Sequence, residues 1–314
     1  MEIYESLVAR HIARDQPYAL LDYPDYQNIG DSAIYAGELA FFDKHVGRAP
    51  GFVCTYRGDL NDMGARVPEG PIFLQGGGNF GDIWHMHQDF RLAVLKRFPD
   101  RRIIQLPQSI HFGDDAALQR TARAISDHGD FVLLVRDRHS FDLAKDRFDC
   151  DVQLCPDAAM MMWKLPIQGA AERDDLVMLR QDAEAVDNEA RLWLKAHYPV
   201  EDWVRDETRT LPMRIIGKLS RSLPEPRLAM RLREIFYRRE AKARVMAGVR
   251  QLSRGQRIVS DRLHVHLLSC LMRKPHVVLD NSYGKISRYI EAWGHDTLTE
   301  RVASADHLRN ILHR

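Results

Sequence analysis

Residues 71–106 read PIFLQGGGNFGDIWHMHQDFRLAVLKRFPDRRIIQL. PIFLQ (71–75) and RIIQL (102–106) are short, near-continuous apolar runs, the pattern of strands covered on both faces. IWHMHQDFRLAVLKRF (83–98), between them, predicts a helix. Strand, helix, strand is a crossover unit, so the two strands run parallel. The same alternation extends on either side. YALLDY (18–23), FVCTY (52–56) and FVLLV (131–135) read as further buried strands, and residues 33–46, 114–128 and 140–148 as helices.

The pattern breaks at LPIQGAAERDD (165–175) and restarts with the strand LVMLR (176–180). A helix over 187–198 and a long charged helix over about 227–252 follow. Then come strand RIVS (257–260), helix 262–273, strand HVVLD (276–280), helix 285–293 and a closing helix within 301–314. The expectation is an α/β protein of two Rossmann-like domains, 1–168 and 169–314, facing across a cleft, with the last helix packing back on the N-terminal domain.

The composition of the 314 residues excludes several classes. With 45% hydrophobic and 28% charged residues, wholesale disorder is excluded. No stretch approaches the roughly 18 uncharged apolar residues of a membrane span. MEIYESLVARHIARDQ is interrupted by charge and does not read as a signal peptide. Cys54, Cys150, Cys155 and Cys270 form no CxxC pair, so reduced thiols and a cytoplasmic location are expected. The net charge of +1 hides an asymmetry: 205–257 carries 15 basic and 5 acidic residues, the remainder 30 and 39. Such a stretch suits phosphates, an anionic membrane surface, or simply a solvated helical face; no nucleic acid is expected.

Four segments could carry chemistry. NIGDSAI (28–34) follows a strand and opens a helix; Asn28 and Gly30 suit the turn, and Asp31 or Ser32 a cap. Helix-opening amides favour an anion, and Asp31 could deprotonate a sugar hydroxyl. In QGGGNFGD (75–82), Gly76, Gly78 and Gly81 satisfy GxGxxG, but RIIQL is followed by Pro107 and Gln108 rather than an acid, so a nicotinamide or flavin site is not expected. Gly77, Gly78, Asn79 and Asp82 remain as contacts for hydroxyls. VRDRHS (135–140) places Arg136 and Ser140 at a strand's carboxyl end, suited to carboxylate or phosphate. In IVSDRLHVH (258–266), Arg262 and His264 open a helix that Ser260 or Asp261 could cap. A histidine there needs a neighbouring anion to stay charged. The HxH pairs His85/His87 and His264/His266 fall in helices, where i and i+2 diverge, so no metal site is expected.

In order, NIGDSAI, GGGNFGD, LPQSIHF, VRDRHS, CPDAAM, LVMLRQD, SDRLH and NSYGKISRYIEAWG resemble the polysaccharide pyruvyl transferase family over most of the chain. LLDYPDYQNIGDSAI before GELAFF is similar to the bacterial exopolysaccharide branch. The resemblance implies a GT-B-like fold. It also implies transfer of the pyruvyl group of phosphoenolpyruvate, with no separate cofactor, to two hydroxyls of one sugar as a cyclic ketal. The family's donor-binding residues match Arg136, Arg262 and His264, with Leu263 contributing backbone, Arg180 and Ser140 as further carry-overs, and His264 as the acid. The chemistry suits these residues: arginines hold carboxylate and phosphate, an acid protonates the methylene carbon, and a base, here Asp31, takes the attacking hydroxyl's proton.

LPMRIIGKLSRSL (211–223) spaces Leu211, Ile215, Leu219 and Leu223 along one helical line, with Arg214, Lys218 and Arg221 mostly on the other side. That composition suits either an interfacial helix on an anionic leaflet, near a lipid-linked saccharide, or a helix packed on its own domain. Rival functions are a nucleotide-sugar glycosyltransferase of the same fold, a noncatalytic sugar- or anion-binding protein, and a metal hydrolase.

Overall fold

A computed structural model describes residues 1–181, 185, 187–204, 211–222, 225–280, 284–294 and 297–313, without the side chains of 221 and 222. In chain order the elements are α1 (Glu2–Ala9), β1 (Ala19–Leu21), α2 (Ile29–His45), β2 (Phe52–Cys54), α3 (Leu60–Arg66), β3 (Ile72–Leu74), β4 (Gly77–Gly81), α4 (His85–Arg97), β5 (Ile103–His111), α5 (Asp115–His128), β6 (Phe131–Val135), α6 (Arg138–Arg147) and β7 (Asp151–Leu154). There follow β8 (Arg173–Met178), α7 (Glu189–His197), β9 (Val200–Glu201), α8 (Leu211–Ser222), α9 (Pro226–Ser253), β10 (Gly255–Ser260), α10 (Leu263–Met272), β11 (His276–Val278), α11 (Lys285–Trp293), β12 (Thr299–Arg301) and α12 (Ala305–Leu312).

Two compact units result. The first takes Met1–Tyr26, Asp31–Met161 and Arg209–Lys242; the second takes Gln27–Gly30, Met162–Thr208 and Ala243–Arg314. The chain therefore passes between units more often than a single division at 168/169 has it. Among the described residues each unit holds one parallel sheet, of order β2-β1-β3-β5-β6-β7 with β4 beside β5 in the first, and β12-β11-β10-β8-β9 in the second.

In the first unit β1, β2, β3 and β6 are buried along their whole length, which is why they read as continuous apolar runs. Tyr18 stacks on Phe42 at 4.5 Å in that core. Met213, Met230, Phe236, Tyr237 and Ala241 are buried in the same core, so α8 and the first part of α9 belong here. Tyr237 stacks on Tyr23 at 3.8 Å, and Tyr23 Oη donates to Glu240 Oε2 at 2.9 Å. Arg214 and Lys218 of α8 and Arg227, Arg231, Arg239, Lys242 and Arg250 of α9 are exposed, whereas Arg244 is buried.

In the second unit β8, β10 and β11 form the buried centre, and Leu308, Ile311 and Leu312 of α12 join Ala190 and Leu194 of α7 in one cluster. Arg309 reaches Glu189 at 3.1 Å. The last helix, expected to pack back on the N-terminal domain, lays its apolar face on that of α7 in the second unit.

Chain order reverses direction between β1 and β3 in the first sheet, and between β8 and β10 in the second. The crevice outside the carboxyl ends of strands at such a point is where ligands collect in open parallel sheets.

Candidate functional site

In the first unit the motif residues gather at the carboxyl ends of β1, β3, β5 and β6. The glycine run differs from expectation. Gly77–Gly81 is a strand, β4, pairing with β5 through Gly77↔Gln108, Phe80↔Ile110 and Gly81↔His111, and not a loop. Gly81 has φ +132, and a Cβ there would stand 1.7 Å from the His111 carbonyl oxygen. Close approach to β5, rather than to a ligand, accounts for this glycine. Gly78 is half-buried on the same strand. Asp82 is used by the fold, its Oδ2 accepting from the amides of Gly113 and Asp114 at 2.6 Å each.

Asn79 joins a buried polar network. Its Oδ1 accepts from Arg91 Nη2 at 2.9 Å and Gln108 Nε2 at 2.8 Å, and its Nδ2 reaches Asp22 Oδ2 at 3.4 Å. Asp22, just past β1, is 4% exposed and sits at φ 71, a left-handed conformation that costs a non-glycine residue energy. Nδ1 of His87, on α4, lies 2.8 and 2.9 Å from its two oxygens. Burial raises the Asp22 carboxyl, and the hydrogen bond to His87 opposes that shift. The Tyr56 and Tyr26 rings stand 5.1 and 6.0 Å from the His87 ring. An imidazole oriented by a buried carboxylate and flanked by aromatic rings can take a proton from a sugar hydroxyl. Sequence reasoning weighed His87 only as half of an HxH pair; Asp22 lies 65 residues away, and no local pattern joins the two. Beneath them Glu38 is buried and accepts from the Gly76 amide at 2.8 Å. Burial first, then the charges of Asp157 and Asp22, holds its carboxyl well above the usual range.

Arg136 follows β6 and is 3% exposed. Its Nη1 donates to Asp157 Oδ2 at 2.6 Å and its Nε to Ser109 Oγ at 2.9 Å. Ser109 Oγ in turn donates to Asp137, the residue that caps α6. Ser140, 1% exposed, accepts from the Ile110 amide at 2.9 Å, which ties α6 to β5. Asp31 lies in the first turn of α2, and its carbonyl accepts from Gln75 Nε2 at 3.2 Å.

In the second unit the ends of β8 and β10 lie side by side, with Val259↔Val177 and Ser260↔Met178 paired. Asp261 does not cap α10: its Oδ1 accepts from the Arg180 amide at 2.8 Å, and its Oδ2 pairs with Arg191 Nη1. Burial raises its carboxyl, opposed by the Arg180 amide and by Arg191. Arg262 makes a bidentate pair with Asp202, Nε to Oδ1 at 2.6 Å and Nη2 to Oδ2 at 2.7 Å. Its amide donates to Ser260 Oγ at 3.1 Å. Leu263 is buried and opens α10, with His264 next in its first turn.

Two sequence-distant motifs meet in this unit. Asn28, rather than Asp31 or Ser32, sits where it caps α2, its Oδ1 accepting from the Gly30 amide at 2.8 Å. A Cβ at Gly30 would lie 2.4 Å from His264 Nδ1 and 2.8 Å from His264 Cγ. Only a residue without a side chain lets the ring sit there. Gly30→Ala is therefore expected to displace the His264 ring and lower kcat by more than tenfold. Helix content should be unchanged, because alanine suits a helix. Steady-state kinetics beside circular dichroism checks this; unchanged kcat would show that the ring's seat is immaterial.

Comparison with known proteins agrees with the motif order. Residues 28–283 match the family model described as polysaccharide pyruvyl transferase. A Bacillus subtilis protein named as pyruvyl transferase EpsO is 32% identical over 281 residues, covering 87% of this chain and 84% of that protein. Pyruvyl transferase 1 of Schizosaccharomyces pombe is 31% identical over 306 residues, 91% of this chain and 71% of its own. A crystal structure of a functionally uncharacterized Klebsiella pneumoniae protein superposes with a TM-score of 0.58 at 16% identity, covering 96% of this chain and 97% of that one, and shares the fold.

Proposed function

The chain belongs to the polysaccharide pyruvyl transferase family, and from that premise we propose that it moves the pyruvyl group of phosphoenolpyruvate onto two hydroxyls of a hexose in an exopolysaccharide repeat unit or its lipid-linked precursor. The observation that carries this reading is the assembly at the carboxyl ends of β8 and β10: Arg180, Arg262, Leu263 and His264, with the His264 ring seated on Gly30.

Arginine suits a donor bearing both carboxylate and phosphate. Arg136, Arg262 and His264 are the donor-binding residues of this proposal. His264, charged by the donor's phosphate, protonates the methylene carbon; the resulting cationic carbon takes the sugar hydroxyl, and phosphate departs against arginine. A second hydroxyl closes the ketal. Asp31 and His87 are the two candidates for the base. The geometry favours His87, because Asp22 orients its ring and would stabilise the imidazolium. Asp22→Asn is expected to lower kcat by about 10²-fold or more, and Asp31→Asn by much less; the reverse order would return the role to Asp31.

The test of the whole reading is a thermal-shift titration followed by phosphate-release assays with galactosides, glucosides and mannosides. Phosphoenolpyruvate should raise Tm and nucleoside diphosphates should not. The opposite selectivity would favour the glycosyltransferase reading, and donor binding without phosphate release from any acceptor a noncatalytic one.

Peripheral membrane contact belongs to the same reading. Among the described residues no helix is long and apolar enough to cross a membrane. On α8, Met213 is buried and Gly217 faces the Phe236 ring, while Leu211, Ile215 and Leu219 are 72%, 51% and 42% exposed, with Arg214 and Lys218 also exposed. An apolar line edged by cations suits an anionic leaflet. Leu223 and residues 205–210 lie outside the described residues, as does the Arg221 side chain. The chain should float with phosphatidylserine vesicles at low salt, and Ile215→Asp should not; no flotation of the parent would end the idea.

A further inference from the structure

The second unit holds a cluster that the transfer chemistry does not use. Among the described residues, His266, Cys270 and His276 bring one ligand atom each to within 4.8 Å of the others. His266 and Cys270 are one turn apart on α10 and so share a face. His276 opens β11, which pairs in parallel with β10, the strand that leads into α10. His266 Nδ1 and His276 Nε2 are 2.8 Å apart, and Cys270 Sγ stands 3.8 and 3.9 Å from them. Thr299 Oγ1, from β12, lies 3.0 Å from the same His276 nitrogen. Both histidines are 2% exposed and the cysteine is half-buried.

We propose that His266 Nδ1, Cys270 Sγ and His276 Nε2 bind one zinc-class divalent cation, with Thr299 or a water in the fourth position. Zinc–nitrogen and zinc–sulfur bonds at tetrahedral angles put the nitrogens about 3.4 Å apart and each nitrogen about 3.6 Å from sulfur. The distances above depart from these by about 0.6 Å between the nitrogens and about 0.3 Å or less to sulfur, within reach of small side-chain rotations. The second shell is in place as well: His276 Nδ1 lies 2.9 Å from the Lys274 carbonyl, which keeps a proton on Nδ1 and leaves Nε2 its lone pair. Two imidazoles and a thiolate suit zinc over magnesium or calcium.

Binding displaces one proton from the Cys270 thiol to solvent and shifts the His266 proton from Nδ1 to Nε2. The ion crosslinks α10 to β11. His264 is two residues from His266, about 200° around the helix, so it takes no part in the site. The ion's role is to brace the helix that presents His264. Neither an HxH pair nor a CxxC pair supplies the ligands; the spacing here is His-x₃-Cys followed by a histidine on the next strand.

The full-length chain, stripped with EDTA under reducing conditions, is titrated with cobalt(II) and separately with zinc. One equivalent of cobalt should bind, with a sulfur-to-metal charge-transfer band and the visible spectrum of a tetrahedral site. Zinc at a hundredfold excess over its Kd should raise Tm by roughly 5 °C. Cys270→Ser should lose the charge-transfer band and most of the Tm gain, and binding by the parent alone remains a test if that variant fails to fold. A stripped, folded parent that binds less than a tenth of an equivalent and shows no Tm change would overturn the proposal, as would binding that Cys270→Ser leaves intact.

Discussion

His264→Ala is expected to slow phosphate release from phosphoenolpyruvate by about 10²–10⁴-fold, the usual contribution of a positioned general acid, and to move Tm by only a few degrees. The two expectations rest on different features. The half-buried ring sits at the first turn of α10 against Gly30, and alanine, a good helix former, keeps that turn. The chemistry has no comparable substitute in that seat. Arg262, two residues earlier, is a permanent cation and does not release protons near neutral pH. Wild-type-like turnover by the folded variant would remove His264 from the mechanism.

Arg136→Ala is expected to act on stability as strongly as on turnover. Arg136 and Asp157 are 3% and 1% exposed and 2.6 Å apart, and Asp157 also accepts from the Ala159 amide at 2.8 Å. Removing the arginine leaves a carboxylate without its counter-ion in the interior, at a cost of about 3–5 kcal/mol. That lowers Tm by roughly 10 °C in a chain of this size. Lost activity in that variant therefore does not by itself assign a donor contact. The informative partner is Arg136→Gln combined with Asp157→Asn, which removes both charges while keeping hydrogen-bonding groups of similar size. Neutral replacements of a buried pair are often tolerated, so most of the lost stability should return. Turnover should not return if Arg136 holds the donor. Recovery of both would make Arg136 purely structural.

The strands of the first unit were legible because each is buried on both faces and therefore written as an unbroken apolar run. β7 and β9 were not, since DVQL is partly exposed at a sheet edge and β9 is only two residues long. β4 was hidden by its own glycines, which read as a turn; they are needed because β5 passes too close for side chains, and nothing local to QGGGNFGD reports where β5 lies. The capping of α2 went to Asn28, one position before the helix begins. Asp261 and Ser260 were drawn off by Arg180, Arg191 and the Arg262 amide, groups supplied in part by another strand.

By itself the sequence determined the alternation of parallel strands and helices, the restart near residue 175, the membership in a transferase family and the short segments that carry its chemistry. All of these are written in local periodicity or in ordered motifs. Tertiary structure alone decided which side chains face each other: His264 on Gly30, Arg262 on Asp202, Arg136 on Asp157, His87 on Asp22, and His266 and Cys270 on His276. It also decided that 209–242 joins the first unit and that α12 lies on α7. The physical reason is that a buried charge or imidazole takes whichever partner packing delivers, and that partner can be more than two hundred residues away in the chain.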